Sequence, residues 1–331
     1  MKMFAMAAAL LAISGPAFAA DMPLKAVKAP PPAPFDPWDI AFGSAVMSDY
    51  IFRGVTQSNH QPSVTAYFEP RYNVNRDLQL YIGTSTESIS FANRAAAEVD
   101  IYGGVRPTFG AFALDFGVWG YLYPGGHCVD GTALTGGIPG GGVCPVSTDT
   151  VFLANGNVMK KDVSFFEVYG KGNYTINDNW QFGVNEWYSP NFLNSGAWGN
   201  YASVTGKYTA PATAFGKSGV GMYVSGEFGR QWLGTSDVFY AVPGFPNGIP
   251  YASYDTWNIG IGFTYKVFTL DIRYSDTNLS KGNCNAFTSA FNASGTTSVT
   301  PINPGGAGSN WCGAAGIVKL SADLTAMTNL K

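Results

Sequence analysis

The chain has 331 residues, a formal net charge of −3 and only 12% charged residues, about half the ~25% usual of a soluble domain. There is no Lys/Arg stripe, which argues against nucleic acid as a partner. No internal run of eighteen apolar residues offers a membrane-spanning helix. Aromatics at 15% and 41 glycines suit a β protein whose wall faces lipid, and equally a secreted β-sandwich.

The N-terminus reads as an export signal. Lys2 supplies the positive charge, Met3 to Ile13 the apolar run, and Ala17-Phe18-Ala19 the small-residue cleavage box, so residues 1–19 are expected to be removed. Residues 20–37 are Pro-rich and without periodicity, a spacer on the periplasmic side. From Trp38 onward the hydrophobic period is two, and helical spacing is nearly absent.

Strands are expected at 40–53, 64–72, 78–83, 98–106, 112–123, 166–171, 180–188, 198–208, 220–228, 257–266, 268–275 and 317–324. The pattern is clearest near the C-terminus. There Trp257, Ile259, Ile261, Phe263 and Tyr265 alternate with Asn258, Gly260, Gly262, Thr264 and Lys266, and a tight turn leads into the equally regular 268–275. Alternation alone fits a sandwich or a barrel. Connection lengths discriminate between them. One set (73–77, 107–111, 176–179, 210–217, 266–267) is short, while 124–162, 233–253 and 276–316 are long and rich in Gly, Pro, Asn and Ser. Short turns at one end and long loops at the other belong to a transmembrane antiparallel up-and-down β-barrel of about twelve strands, with periplasmic turns and extracellular loops. Residues 38–331 are expected to form it.

Cys128 and Cys144 lie in the 124–162 loop, Cys284 and Cys312 in the 276–316 loop. Four exported cysteines allow three connectivities, of which pairing within each loop is the simplest. A metal site would need closer spacing or histidine partners, and the chain has two histidines, His60 and His127. Neither has a Ser or Asp pattern beside it to build a nucleophile and base. No metal, cofactor or enzymatic activity is expected.

The segment Ser48-Asp49-Tyr50-Ile51-Phe52-Arg53-Gly54-Val55-Thr56-Gln57-Ser58 resembles the opening strand and first loop of the TorF porin family. Further similarity follows at Glu98-Val99-Asp100-Ile101-Tyr102-Gly103, at Asp115-Phe116-Gly117-Val118, at 121–125, at Glu167-Val168-Tyr169 and in the hairpin 257–278. The resemblance implies an outer-membrane barrel with a pore function and supplies no solute. This chain departs from the pattern in its longer 276–316 region and in ending Thr328-Asn329-Leu330-Lys331, where outer-membrane barrels usually finish on an aromatic residue.

In such a barrel, strand parity turns Asp49, Arg53, Glu69, Arg71, Glu98, Asp100, Arg106, Asp115, Glu167, Lys171, Glu227, Asp271 and Arg273 into the lumen. Arg53 is expected at the rim, either selecting solutes or paired with Asp49 or with a neighbouring strand. Charges there must be hydrated or paired. Hydrated, they form a narrow channel for small hydrophilic solutes; paired, they brace a plugged structural or adhesive barrel. Tyr50, Tyr102, Tyr123, Trp180, Trp187, Trp198, Trp257 and Tyr265 are expected as anchors at the membrane interfaces. Outer-membrane lipid and small solutes are the expected partners, and a homo-oligomer stays open.

Overall fold

A computed structural model of the protein describes residues 37–132, 142–145 and 147–330. The expected signal peptide, and all of the Pro-rich lead except Pro37, lie outside the described residues. The chain runs through β1 (Trp38–Met47), a small hairpin of β2 (Ile51–Phe52) and β3 (Val55–Thr56), β4 (Ser63–Asn75), β5 (Leu78–Glu87), β6 (Glu98–Phe109) and β7 (Phe112–Leu122). A short pair in the next loop, β8 (Val129–Asp130) and β9 (Val158–Met159), precedes β10 (Phe165–Thr175), β11 (Trp180–Ser189), β12 (Gly199–Thr209) and β13 (Val220–Leu233). Then come β14 (Tyr254–Tyr265), β15 (Phe268–Thr277), helix α1 (Lys281–Thr288), β16 (Ala315–Thr325) and the single turn α2 (Ala326–Asn329).

Among the described residues, twelve of these strands form one closed antiparallel barrel in the order β1-β16-β15-β14-β13-β12-β11-β10-β7-β6-β5-β4. Closure is made by β1 against β16, from Ala41 opposite Thr325 to Met47 opposite Lys319. Closing the sheet removes every edge, so each backbone group of the wall finds a partner without water.

The sequence period places the side chains. Outward positions are apolar and exposed, as at Ile82 (60%) and Ile259 (58%), and they continue around the wall through Val64, Ile101, Val118, Val168, Val204, Ile272 and Val318. A band of this extent is not left facing water. It is the surface of a barrel that sits in hydrocarbon. Exposed aromatics gather at the end with the short turns: Trp38, Phe109, Phe112, Tyr174, Trp180, Tyr265 and Phe268. Trp198 lies towards the other end and also faces out.

Inward positions alternate between large polar side chains and glycine. The ring of Tyr102 lies against Gly83 on the paired strand, where an added Cβ would come within 2.4 Å of it; Tyr223 lies against Gly262 in the same way. Glycine on the lumen side thus lets a tyrosine lie flat along the wall.

The structure corrects two expectations here. The first strand ends at Met47, not at 53, and the chain then turns into the barrel mouth. The 276–316 loop also contains α1, capped by Ser280, whose side chain accepts from the Asn283 N–H. Eight residues are too few for a helical period to stand out against a β background.

Candidate functional site

The loop end is filled by a packed assembly whose centre is the segment between β1 and β4. The β2–β3 hairpin turns at Arg53 (φ 49°) and Gly54 (φ 77°). Two successive left-handed residues make the tight turn that suits a two-residue hairpin. Gly54 is required, because an added Cβ would lie 2.7 Å from Thr256 Oγ1 on β14. Arg53 carries the strain of a side chain at positive φ, and its contacts offset it. Its Nη1 and Nη2 donate to the two oxygens of Glu167 on β10 at 2.9 and 2.7 Å, and Nη1 also donates to Gln231 on β13 at 3.0 Å. The side chains are 6% and 0% exposed for Arg53 and Glu167. The guanidinium lies over the rings of Tyr201 and Phe52, 4.5 and 4.6 Å from their centroids.

The rest of the segment is held as firmly. Tyr50 and Tyr123 donate to the two oxygens of Glu98 at 2.7 and 2.9 Å. Burial, and after it the charge of Glu98, pushes both phenols up, so they stay protonated as donors. Asp49 accepts from Thr56 and Ser58 and meets His60 Nδ1 at 2.6 Å. Val55 bridges to Cys312, and Thr56 N–H donates to the Trp311 carbonyl. An apolar core including Val55, Tyr121, Phe165, Phe192, Tyr251, Cys284 and Trp311 ties this plug to the upper ends of the strands. The disulfides join Cys128 to Cys144 and Cys284 to Cys312, the pairing within loops that was simplest from the sequence.

Below the plug the lumen is hollow. A cavity of about 560 Å³ is lined by Arg53, Asp100, Lys171, Glu227 and Arg273 together with Tyr102, Trp119, Trp187 and Tyr201. A second space of about 230 Å³ shares Glu227, Asn258 and Arg273 with it and reaches Asn173 and Gln181 near the short turns. On the β4–β7 side the lumen is filled instead. There Glu69 accepts from Arg71 at 2.6 Å and from Arg106 at 2.7 Å, and Arg106 also meets Asp115 at 3.4 Å. Towards β14 and β15, Arg273 donates to Asp271 at 2.9 Å and to Asn258 at 2.5 Å. Glu227 accepts from Tyr201 at 3.0 Å. Among the described residues Lys171 has no carboxylate within ion-pair distance, and its ammonium is caged by Tyr169 and Trp187 at 4.5 and 4.6 Å and Trp119 at 5.9 Å.

Twelve of the thirteen charges expected in the lumen therefore point into it. Asp49 does not: it lies beyond the end of β1 and pairs with His60 instead of Arg53. Once the chain folds inward after Met47, strand parity no longer applies to 48–53. A second correction concerns four aromatics expected as interface anchors. Tyr50, Tyr102, Tyr123 and Trp187 all turn inward, to Glu98, to Gly83 and to Lys171. Position near a strand end does not distinguish an outward ring from an inward one; parity does, and Tyr102 and Trp187 share the face of Asp100 and Asn185. Gln231 was missed because the strand was expected to stop at 228, although it continues the inward parity of Glu227.

Residues 32–189, just under half of the chain, match the model of a family described as a bacterial protein of unknown function (Gcw_chp). No curated protein matches. Among solved structures the chain is similar to the COG4313 outer membrane channel from Pseudomonas putida F1, with 11% identity over 88% of this chain and 97% of that one and a TM-score of 0.42. A Pseudomonas aeruginosa FadL homologue gives 12% identity over 86% and 89%, with a TM-score of 0.40. LpxR from Salmonella typhimurium gives 9% over 86% and 99%, with a TM-score of 0.38. The first of these is described as an outer membrane channel; at these scores none of the three bears on what this chain does.

Proposed function

We propose that the protein is an outer-membrane channel for small hydrophilic solutes whose loop-end mouth is closed, in this conformation, by the plug at 48–62. The observation that carries this reading is the cavity of about 560 Å³ under the plug, lined by charged and aromatic side chains, and its extension towards the turns. A barrel that served only as a scaffold gains nothing from a hollow lined with Lys171, Glu227 and Arg273, since each lumen charge costs desolvation free energy. The short turns then face the periplasm and the disulfide-stapled loops the outside, where oxidised cysteines persist. The resemblance of 48–58 to TorF porins supports the same reading.

Opening requires the plug to leave the mouth, and Arg53–Glu167 is a contact that opposes it. Single-channel recording in planar bilayers tests this. Wild-type protein is expected to show infrequent, small openings, and the Arg53→Ala/Glu167→Gln double variant to be open at least ten times as often. Silence from both, in protein shown to be folded and inserted, sinks the channel reading. It would favour the second one, a structural or adhesive barrel, which the apolar core of the plug supports.

A further inference from the structure

We infer that Glu87, Glu98 and Asp100 form a binding site for a divalent cation, of the calcium type, at the junction of the plug and the barrel wall. Glu87 ends β5, while Glu98 and Asp100 open β6, all with inward parity. Glu87 sits directly opposite Glu98 in the register, and Ser85 opposite Asp100. One carboxylate oxygen from each residue lies within 4.8 Å of those of the other two. An ion with calcium–oxygen bonds of about 2.3–2.6 Å holds two ligands no further than about 5 Å apart, so these oxygens are spaced for one shared ion.

A second observation points to a ligand. Asp100 is 4% and Glu98 2% exposed, and two oxygens in the group, Asp100 Oδ1 and Glu87 Oε2, are shut off from solvent with no hydrogen-bond donor. The donors around the group are all neutral: the hydroxyls of Thr65 on Glu87, Ser85 on Asp100, and Tyr50 and Tyr123 on Glu98, with the Trp119 indole N–H facing Asp100 outside hydrogen-bond geometry. Arg53, Arg71, Arg106 and Arg273 are each committed to other carboxylates. Among the described residues no Lys or Arg comes within ion-pair distance of the three carboxylates, and Lys319 acts on Glu87 only from further away; carboxylates this close repel one another when charged, and a bound cation relieves that repulsion. Hard oxygen donors alone suit calcium better than zinc, which prefers nitrogen and sulfur. Glu87 and Asp100 also line the cavity, which supplies both an entry path and water to complete the coordination. Because Glu98 holds Tyr50 of the plug, the ion would brace the base of the plug against β5 and β6.

Terbium, which occupies calcium sites and is sensitised by nearby tyrosine, is the probe. Tyr50 and Tyr123, hydrogen-bonded to Glu98, are the sensitisers. Full-length refolded protein stripped with EDTA should give saturable terbium luminescence at one ion per chain, reversed by calcium. Asp100→Asn and Glu87→Gln should each weaken binding at least tenfold, whereas Glu227→Gln, elsewhere in the same cavity, should leave it unchanged. Absence of saturable luminescence in the wild type overturns the site. So does luminescence that is indifferent to both Asp100→Asn and Glu87→Gln. The readout is independent of conductance, so it stands or falls separately from the channel reading.

Discussion

Arg53 illustrates how far a single side chain depends on the rest of the molecule. At positive φ and 6% exposed, it would destabilise the fold in isolation; with Glu167, Gln231 and two aromatic faces around it, it becomes the pin of the plug. Removing one member of a buried pair leaves the other charge uncompensated, at a cost of about 3–5 kcal/mol. Arg53→Met should therefore loosen the plug by about that amount, read as faster amide hydrogen exchange over 48–62. Arg53→Met/Glu167→Met should recover most of the loss. If the double variant exchanges as fast as the single one, the pair is not what holds the hairpin. The residue stood out through its place in the TorF-like segment, while the parity that put it in the lumen does not hold beyond Met47, and its partner was not legible. Glu167 lies 114 positions away, and only the inward turn after Met47 brings the two together.

At the scale of elements, the strands and the loops were legible to different degrees. Each wall strand announces itself by alternation, because one face meets hydrocarbon and the other a polar lumen. The loops obey no such period. Helix α1 and the β2–β3 hairpin are each held by other loops: Phe287 of α1 stacks on Phe192 in the loop after β11, at 6.1 Å between ring centroids, and Thr56 of the hairpin bonds to Trp311 ahead of β16. The Cys284–Cys312 link closes a segment with a sequence separation of 28, which by loop-closure entropy contributes about 3.6 kcal/mol. Cys284→Ser/Cys312→Ser should expose the 281–312 region to limited proteolysis while the strands stay intact. Cleavage within the barrel wall would show that the staple supports more than its own loop.

The whole molecule is a wall that needs lipid and an interior that needs charge, and substitutions should divide along that line. Val204, on the outer face at 54% exposure, pairs with Val184 and Phe228 in mid-strand. Val204→Arg should cost about 2–4 kcal/mol of stability in lipid vesicles, measured by urea unfolding. Thr205→Arg, one residue on and facing the space lined by Lys207 and Glu227, should cost little. Equal losses at both positions would contradict the assignment of faces. By itself the sequence determined the all-β class, the strand number, the two ends of the barrel and the side of the wall on which most charges lie. These follow from a strict period of two and from connection length, both local properties. Which charges pair, that the mouth is closed, and that Glu87, Glu98 and Asp100 meet were decided by tertiary structure. Each depends on barrel register or on a segment re-entering the lumen, and the free energy of those contacts exists only once the sheet has closed.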